Sequence, residues 1–474
     1  MTTELWKLSA TDLAGRIARR EVSAREATDH VLSRIEVANR QVNALATVLG
    51  DSAREAADAA DAAQARGEPI GALHGVPVTI KINVDVRDQA TTDGVVALQG
   101  NLAATDSPLV KSMRDAGAII VGRSNAPAFS LRWFSDNSVH GRTLNPFDHR
   151  ITPGGSSGGA AAATAMGMGA LAHGNDYGGS IRYPAWACGV VGLRTTVGRV
   201  PSYKASAPNR IISNQQMSVQ GPLTRTVADA RLALQVMAQG SPLDPQWTPV
   251  PLAFTDARQA VPVAVFRSWA QSRVDPTVSA AVDQAARWLE AAGYQVEEVE
   301  PPHFAEVAAM QFQMVMNDMR RGGEPFMREN GDDALRTALR HYMAINPVWD
   351  RDQYLDALTR RFNIARDWAL FFERYPVLLM PNSWERQFPI DDDLRSPERT
   401  AQILLAQAPL LSTAVLGLPG LSVPTGLVDG LPVGVQLVSD RFREDRILAA
   451  GEVIEQRAQF SALATLAAVE PLEG

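Results

Sequence analysis

Two serines stand in glycine-rich patches 24 residues apart (180 − 156). The first patch is Thr152-Pro-Gly-Gly-Ser156-Ser157-Gly-Gly159, and the second is Gly174-Asn-Asp176-Tyr177-Gly178-Gly179-Ser180-Ile-Arg182-Tyr-Pro184. Glycine at this density costs backbone entropy, so it marks a chain that must turn tightly or approach a ligand closely. A serine in such a turn exposes its hydroxyl beside free N–H groups. These are two parts of an acyl-transfer site, a nucleophile and an oxyanion hole. The missing part is a base.

Histidine is a poor source of it. Gly154-Gly-Ser156-Ser-Gly158 satisfies the G-x-S-x-G nucleophile elbow, but that elbow follows a strand, and Thr152-Pro153 is a poor strand end. His173, His303 and His341 sit in no distinctive context. The seven histidines show no i, i+4 spacing, and one cysteine cannot build a thiolate zinc site, so neither metal nor cofactor is expected. Gly167-Met-Gly169-Ala-Leu-Ala172 matches a loose dinucleotide pattern, yet it falls in an Ala-rich stretch that reads as helix. Lysine remains. Lys81 closes the apolar run Val76-Pro-Val-Thr-Ile80. Taken alone it has two readings. Its head group snorkels to solvent, or it is buried, and desolvation leaves a neutral amine able to take a proton from serine.

The elements that must position these residues alternate along the whole chain. Ser23-Ala-Arg-Glu26 is a capping box that starts a helix to about residue 38. Helices are expected over 51–66, 107–116, 157–172, 226–239, 276–292, 399–416 and 443–456, and strands over 76–81, 118–121, 261–266, 294–299, 377–380, 420–423 and 433–438. This implies an α/β protein: one large domain with a central mixed, mostly parallel twisted sheet covered by helices on both faces. Residues 1–70 read as an N-terminal helical segment packed on the core, and 303–373 as a helical insert rich in Met and aromatic side chains. The prolines between 240 and 260 mark a surface loop rather than a boundary.

Composition narrows the function. The chain has 474 residues, 46% hydrophobic and 20% charged, which describes an ordinary globular protein with a large core. A net charge of −7 without a basic run argues against nucleic acid as a partner. The uncharged stretch 151–175 is built from Gly, Ala, Ser and Thr, a poor membrane span. The start of the chain shows no signal-peptide pattern, and the lone Cys188 fits a reducing compartment and reads as a buried thiol, so a cytoplasmic enzyme is expected. The oligomeric state is open, a homodimer included.

The segment 71–201 resembles the amidase signature family. Gly71-Ala-Leu-His-Gly-Val-Pro-Val-Thr-Ile-Lys81 is similar to its lysine strand, the two patches above to its serine loops, and Gly189-Val-Val-Gly-Leu-Arg-Thr-Thr-Val-Gly-Arg-Val-Pro201 to the segment after them. Weaker likeness continues through Leu416-Gly-Leu-Pro-Gly-Leu-Ser-Val-Pro424 and Gly430-Leu-Pro-Val-Gly-Val-Gln-Leu437, so 202–474 reads as the remainder of the same domain. The resemblance implies an amidase working through a serine acyl-enzyme. Ser180 is then the nucleophile, and Ser156, after a cis peptide bond, relays protons between Ser180 and Lys81. Lys81 is the base and then the acid. The N–H groups of Tyr177, Gly178, Gly179 and Ser180 form the oxyanion hole. Asp176 and Arg182 pair to brace the nucleophile loop. Ser157 either hydrogen-bonds within the first loop or caps the helix after it. The family more often has an acidic residue directly after the lysine, where this chain has Ile82 and then Asn83, which leaves the lysine's partner open.

The substrate pocket is expected at Phe129, Ser130 and Trp133, where the family lines its acyl pocket, and at Met314 among the methionines of the insert. These side chains favour an apolar or aryl amide, with esters and carbamates also open. Two other classes stay open: a glutamine-dependent amidotransferase subunit that passes ammonia to a partner, and a silent binding protein on the same fold.

Overall fold

Ser23 caps the helix Ala24–Val42 reciprocally with Glu26, as its sequence pattern requires. Such local signals hold along most of the computed structural model, which describes residues 4–252 and 261–468. Residues 1–3 and 469–474, and the 253–260 part of the expected loop, lie outside the described residues.

Among the described residues eleven strands form one sheet. They are β1 (Leu45–Val48), β2 (Pro77–Lys81), β3 (Ile119–Ser124), β4 (Leu171–Asp176), β5 (Val191–Arg194), β6 (Val219–Thr224), β7 (Pro262–Val265), β8 (Gln295–Glu298), β9 (Val377–Pro381), β10 (Gly420–Val428) and β11 (Leu431–Val438). Their order is β1-β3-β2-β4-β6-β5-β10-β11-β9-β7-β8. The sheet is mixed, as expected, but not mostly parallel. Four pairings are parallel and six antiparallel among the described residues. The antiparallel share comes from strands that the sequence reading passed over: β1, β4, β5 and β6. It also comes from the β10–β11 hairpin, closed by Asp429 (φ 52°) and Gly430 (φ 77°), the Asp-Gly turn whose twist suits two adjacent strands. The N-terminal segment is therefore not only helical. It supplies β1, an edge strand beside β3.

The Ala-rich helix is shorter than expected. It runs Gly158–Ala165 and gives way to β4. Gly167 (φ 76°) and Gly169 (φ 143°) take left-handed conformations that turn the chain back into the sheet, overriding alanine's helix propensity. The Gly167–Ala172 pattern is thus a turn and a strand start.

Successive strand residues face opposite sides. Val78 and Ile80 of β2 join one core layer, with Leu13, Leu234, Leu289 and Ile447 from helices. Thr79 and Lys81 face the other side, where Ala160 and Ala162 of the helix Gly158–Ala165 share a core cluster with Val121 of β3. Farther along that side, the helices Phe304–Gly322 and Arg351–Arg374 pack Met310, Met314 and Trp368 against Leu378 and Met380 of β9. Helices thus cover both faces. Among the described residues no helix is long and apolar enough to cross a membrane.

Candidate active site

Lys81 is the last residue of β2, a strand buried at every position. Its side chain does not snorkel; the residue is 0% exposed. Its Nζ lies 2.6 Å from Ser156 Oγ and donates to Asn175 Oδ1 at 2.7 Å. No carboxylate pairs with it among the described residues. Burial without a counter-charge in contact pushes its pKa down to about 7, and the more distant charges of Asp93 and Asp176 offset this only in part. Asn175 is thus the partner that the Ile82-Asn83 sequence left open. It sits on β4, of which only Leu171 and Ala172 fall in the expected helix, while Asn175 falls in the second serine loop, so its side chain had no expected direction.

Ser156 is buried on the site side of the first loop, and the Gly155–Ser156 peptide bond is cis. Gly155 is required by contact: a Cβ there would lie 2.4 Å from the carbonyl oxygen of Arg132. Ser157 follows neither of its two readings. Its side chain accepts no N–H of the helix Gly158–Ala165, and its hydroxyl donates outside the first loop, to the Asn175 carbonyl at 3.3 Å. Its N–H donates to the Ser180 carbonyl at 3.2 Å, tying the two serine loops together. Ser180 is 9% exposed, and its Oγ makes no hydrogen bond among the described residues, to Ser156 or otherwise.

Asp176 and Arg182 pair as expected, bidentately at 3.0 Å and 3.0 Å, and both are fully buried. Arg194 adds a second guanidinium, 3.1 Å from Asp176 Oδ1, which sequence reasoning missed. Burial alone would raise the Asp176 pKa, but the two guanidiniums hold it well below the usual carboxylate range. Asp176 also accepts the N–H groups of Gly179 (2.8 Å) and Ile181 (3.2 Å), so it sets the shape of the turn carrying Ser180. Gly179 holds φ 108°, open to glycine alone at little cost.

The carbonyls of this turn are fixed from outside. Gln311 Nε2 donates to the Tyr177 carbonyl at 2.9 Å, and Trp133 Nε1 to the Gly178 carbonyl at 3.1 Å. In a trans peptide the N–H points opposite its C=O, so Gln311 aims the Gly178 N–H away from the helix Phe304–Gly322. The N–H groups of Tyr177, Gly178 and Ser180 have no acceptor among the described residues. The Gly179 N–H differs from expectation, because it is engaged by Asp176.

The expected pocket residues divide. Trp133 is 9% exposed and borders the Ser180 turn through its bond to Gly178. Phe129 is half-buried, edge-to-face with Phe326 at 5.7 Å. Ser130 links Asn83, which donates to it at 2.9 Å, to Asp93, which accepts from it at 2.6 Å. Met314 is a correction: it is 0% exposed, packed in the core of the insert, and walls no accessible space. No histidine contacts either serine among the described residues. His173 pairs with Gln220 at 2.9 Å, and burial pushes its pKa down to about 3. Cys188 is buried, and burial pushes its thiol well above the usual range, which leaves it inert.

The chain that carries this buried lysine and these two serine turns matches a family model described as Amidase over residues 26–448. The chain belongs to the amidase family and is an amidase, a hydrolase of amide C–N bonds. It is 42% identical over 456 residues to an indoleacetamide hydrolase of Bradyrhizobium diazoefficiens, covering 96% of this chain and 87% of that one. It is 33% identical to one component chain of the glutamyl-tRNA(Gln) amidotransferase of Moorella thermoacetica, covering 96% and 98%. Among solved structures, a bacterial aryl acylamidase of the amidase signature family superposes with a TM-score of 0.86 at 28% identity, covering 98% of this chain and 99% of that one.

Proposed function

We propose that this amidase hydrolyses the primary amide of an aryl-substituted acetic acid through an acyl-enzyme on Ser180. The observation that carries the mechanism is Lys81 Nζ, fully buried and 2.6 Å from Ser156 Oγ. Neutral Lys81 takes the Ser156 proton, Ser156 takes the Ser180 proton, and Ser180 Oγ attacks the amide carbon. The Ser156–Ser180 hydrogen bond forms as substrate settles, since catalytic contacts often tighten only in the Michaelis complex. Gly178 and Ser180 N–H groups receive the oxyanion, with Tyr177 N–H beside them. Lys81 then returns its proton through Ser156 to the leaving ammonia, and water hydrolyses the ester by the same path. Trp133 and Phe129 border the acyl group.

The aryl-acetamide choice rests on the indoleacetamide hydrolase likeness at 42% identity, against 33% for the amidotransferase chain. Three substrates separate the readings on the purified chain: indole-3-acetamide, an anilide and L-glutamine. The proposal expects ammonia and the free acid from the first, with glutamine inert. Ammonia from glutamine alone would instead support a role within an amidotransferase. Covalent labelling of Ser180 by a fluorophosphonate, lost in Ser180→Ala, is expected; an unlabelled protein would exclude Ser180 as nucleophile and revive the silent binding protein. The buried thiol of Cys188 is compatible with a cytoplasmic setting.

A further inference from the structure

On the side of Lys81 away from Ser156, a chain of side-chain hydrogen bonds leads to a carboxylate outside the proposed catalytic machinery. Lys81 Nζ donates to Asn175 Oδ1 (2.7 Å), Asn175 Nδ2 to Asn83 Oδ1 (2.8 Å), Asn83 Nδ2 to Ser130 Oγ (2.9 Å), and Ser130 Oγ to Asp93 Oδ1 (2.6 Å). Along this line each member donates to the next, and Asn83 Nδ2 makes one longer bond back to Asn175 Oδ1 at 3.4 Å. Burial raises the Asp93 pKa, but while ionised its carboxylate only accepts, so the polarity is fixed from the Asp93 end.

We propose that Asp93 is a positioning residue for Lys81, acting through Ser130, Asn83 and Asn175 to keep the Lys81 lone pair aimed at Ser156. This rests on the reading of Lys81 as the base. A neutral amine has two N–H groups and one lone pair. Spending an N–H on Asn175 Oδ1 leaves the lone pair for Ser156. If the Asn175 amide were reversed, its Nδ2 would donate to Nζ and occupy that lone pair. Asp93 prevents this: it obliges Ser130 to donate to it, Ser130 then accepts from Asn83 Nδ2, and Asn83 offers Asn175 its Oδ1. The backbone is committed to the same end. Asp93 (φ 46°), Phe129 (φ 54°) and Ser130 (φ 53°) are all non-glycine residues in left-handed conformations. The Phe129 N–H donates to the Asp93 carbonyl at 2.9 Å, which locks the two turns together. Such conformations persist where the surroundings over-determine them.

The charged and titratable groups around this line are few. Asp176 and Lys204 also act on Lys81, while His173 and Arg123 lie near it. Lys204 acts on Asp93 as well. Asp176 is already matched by two guanidiniums. Asp93 is thus the carboxylate whose charge most favours the lysine's protonated form, ahead of Asp176.

The test is the pH profile of kcat and kcat/KM for the full chain on indole-3-acetamide, with Asp93→Asn and Ser130→Ala. Asp93→Asn keeps the shape but can donate to Ser130 and reverse the chain. We expect kcat to fall on the order of tenfold or more with KM little changed, the loss of about one critical hydrogen bond. The acid limb should move down by about half a pH unit as a favourable charge is lost. Ser130→Ala breaks the chain and keeps the charge, so kcat should fall while the limb stays. If Asp93→Asn does not fold, Ser130→Ala decides alone, and an unchanged kcat there overturns the proposal. A wild-type limb near neutrality that is unmoved in folded Asp93→Asn, with unchanged kcat, overturns it too. A wild-type profile with no such limb overturns the lysine-base reading itself, and this inference with it.

Discussion

Lys81 and Asp176 end neighbouring strands, β2 and β4, and neither has solvent contact. Their surroundings treat charge in opposite ways. Asp176 is met by Arg182 and Arg194 and by two backbone N–H groups, so it stays ionised in the interior. Among the described residues, Lys81 Nζ hydrogen-bonds only a hydroxyl and an amide oxygen. Removing a charge from water is costly unless it is paired, and an unpaired group neutralises instead. The same desolvation therefore yields a rigid ionic brace under the Ser180 loop and, one strand away, an amine near its midpoint at neutral pH. Burial sets neither outcome alone; the presence or absence of a counter-charge decides it.

The largest effect should come from erasing the proposed base. Lys81→Met should lower kcat/KM by about 10²–10⁴, the usual contribution of a general base. It should also stabilise the fold at pH 7, since folding no longer has to strip a proton from the lysine. The sign follows from the shift: the folded pKa of about 7 lies below the ordinary 10.5, so the unfolded chain binds more protons between those values. Wild-type stability thus rises with pH across that window. The advantage of Lys81→Met, on the order of a few kcal/mol at pH 7 before the lost contacts to Ser156 and Asn175, should shrink as pH approaches 10. Paired urea melts at pH 7 and pH 9.5 check it; a constant gap would contradict a shifted lysine.

Breaking the other centre should do the reverse. Asp176→Asn leaves two buried guanidiniums unmatched and should destabilise by about 3–5 kcal/mol. Activity should fall as well, because the Gly179 and Ile181 N–H groups lose a charged acceptor. Thermal unfolding reads the first effect. A melting temperature equal to wild type would mean the brace carries no net stability. The smallest expected effect is at the rim of the comparison. Gln311→Leu frees the Tyr177 carbonyl and should reduce kcat by about tenfold, one hydrogen bond's worth, with little change in melting temperature. An unaltered kcat would mean that the turn holds the Gly178 N–H in place without Gln311.

Much of the site was legible because its residues are local in sequence. The glycine patches mark both serine loops, the Asp176–Arg182 brace spans one turn, and Lys81 closes a readable apolar strand. What escaped depends on distant contact. Arg194 reaches Asp176 from β5, and Gln311 reaches Tyr177 from a helix 134 positions away. The sheet was harder to read than its helices. Alanine favours a helix through 166–172, and only the left-handed Gly167 and Gly169 turn that stretch into β4, which brings Asn175 to Lys81. The Asp429-Gly430 turn was a readable hairpin signal that the alternation of helix and strand obscured. Met314 was misplaced because a methionine-rich helix face looks alike whether it lines a pocket or fills a core.

The central claim is that Lys81 is neutral in a substantial fraction of molecules at neutral pH because it is buried without a counter-charge. NMR titration of the lysine side chains in the full-length protein, with the Lys81 signal assigned by its absence in Lys81→Met, tests this directly. The account predicts that the Lys81 signal titrates near pH 7. A Lys81 signal that titrates at the ordinary lysine value of 10.5 would contradict it.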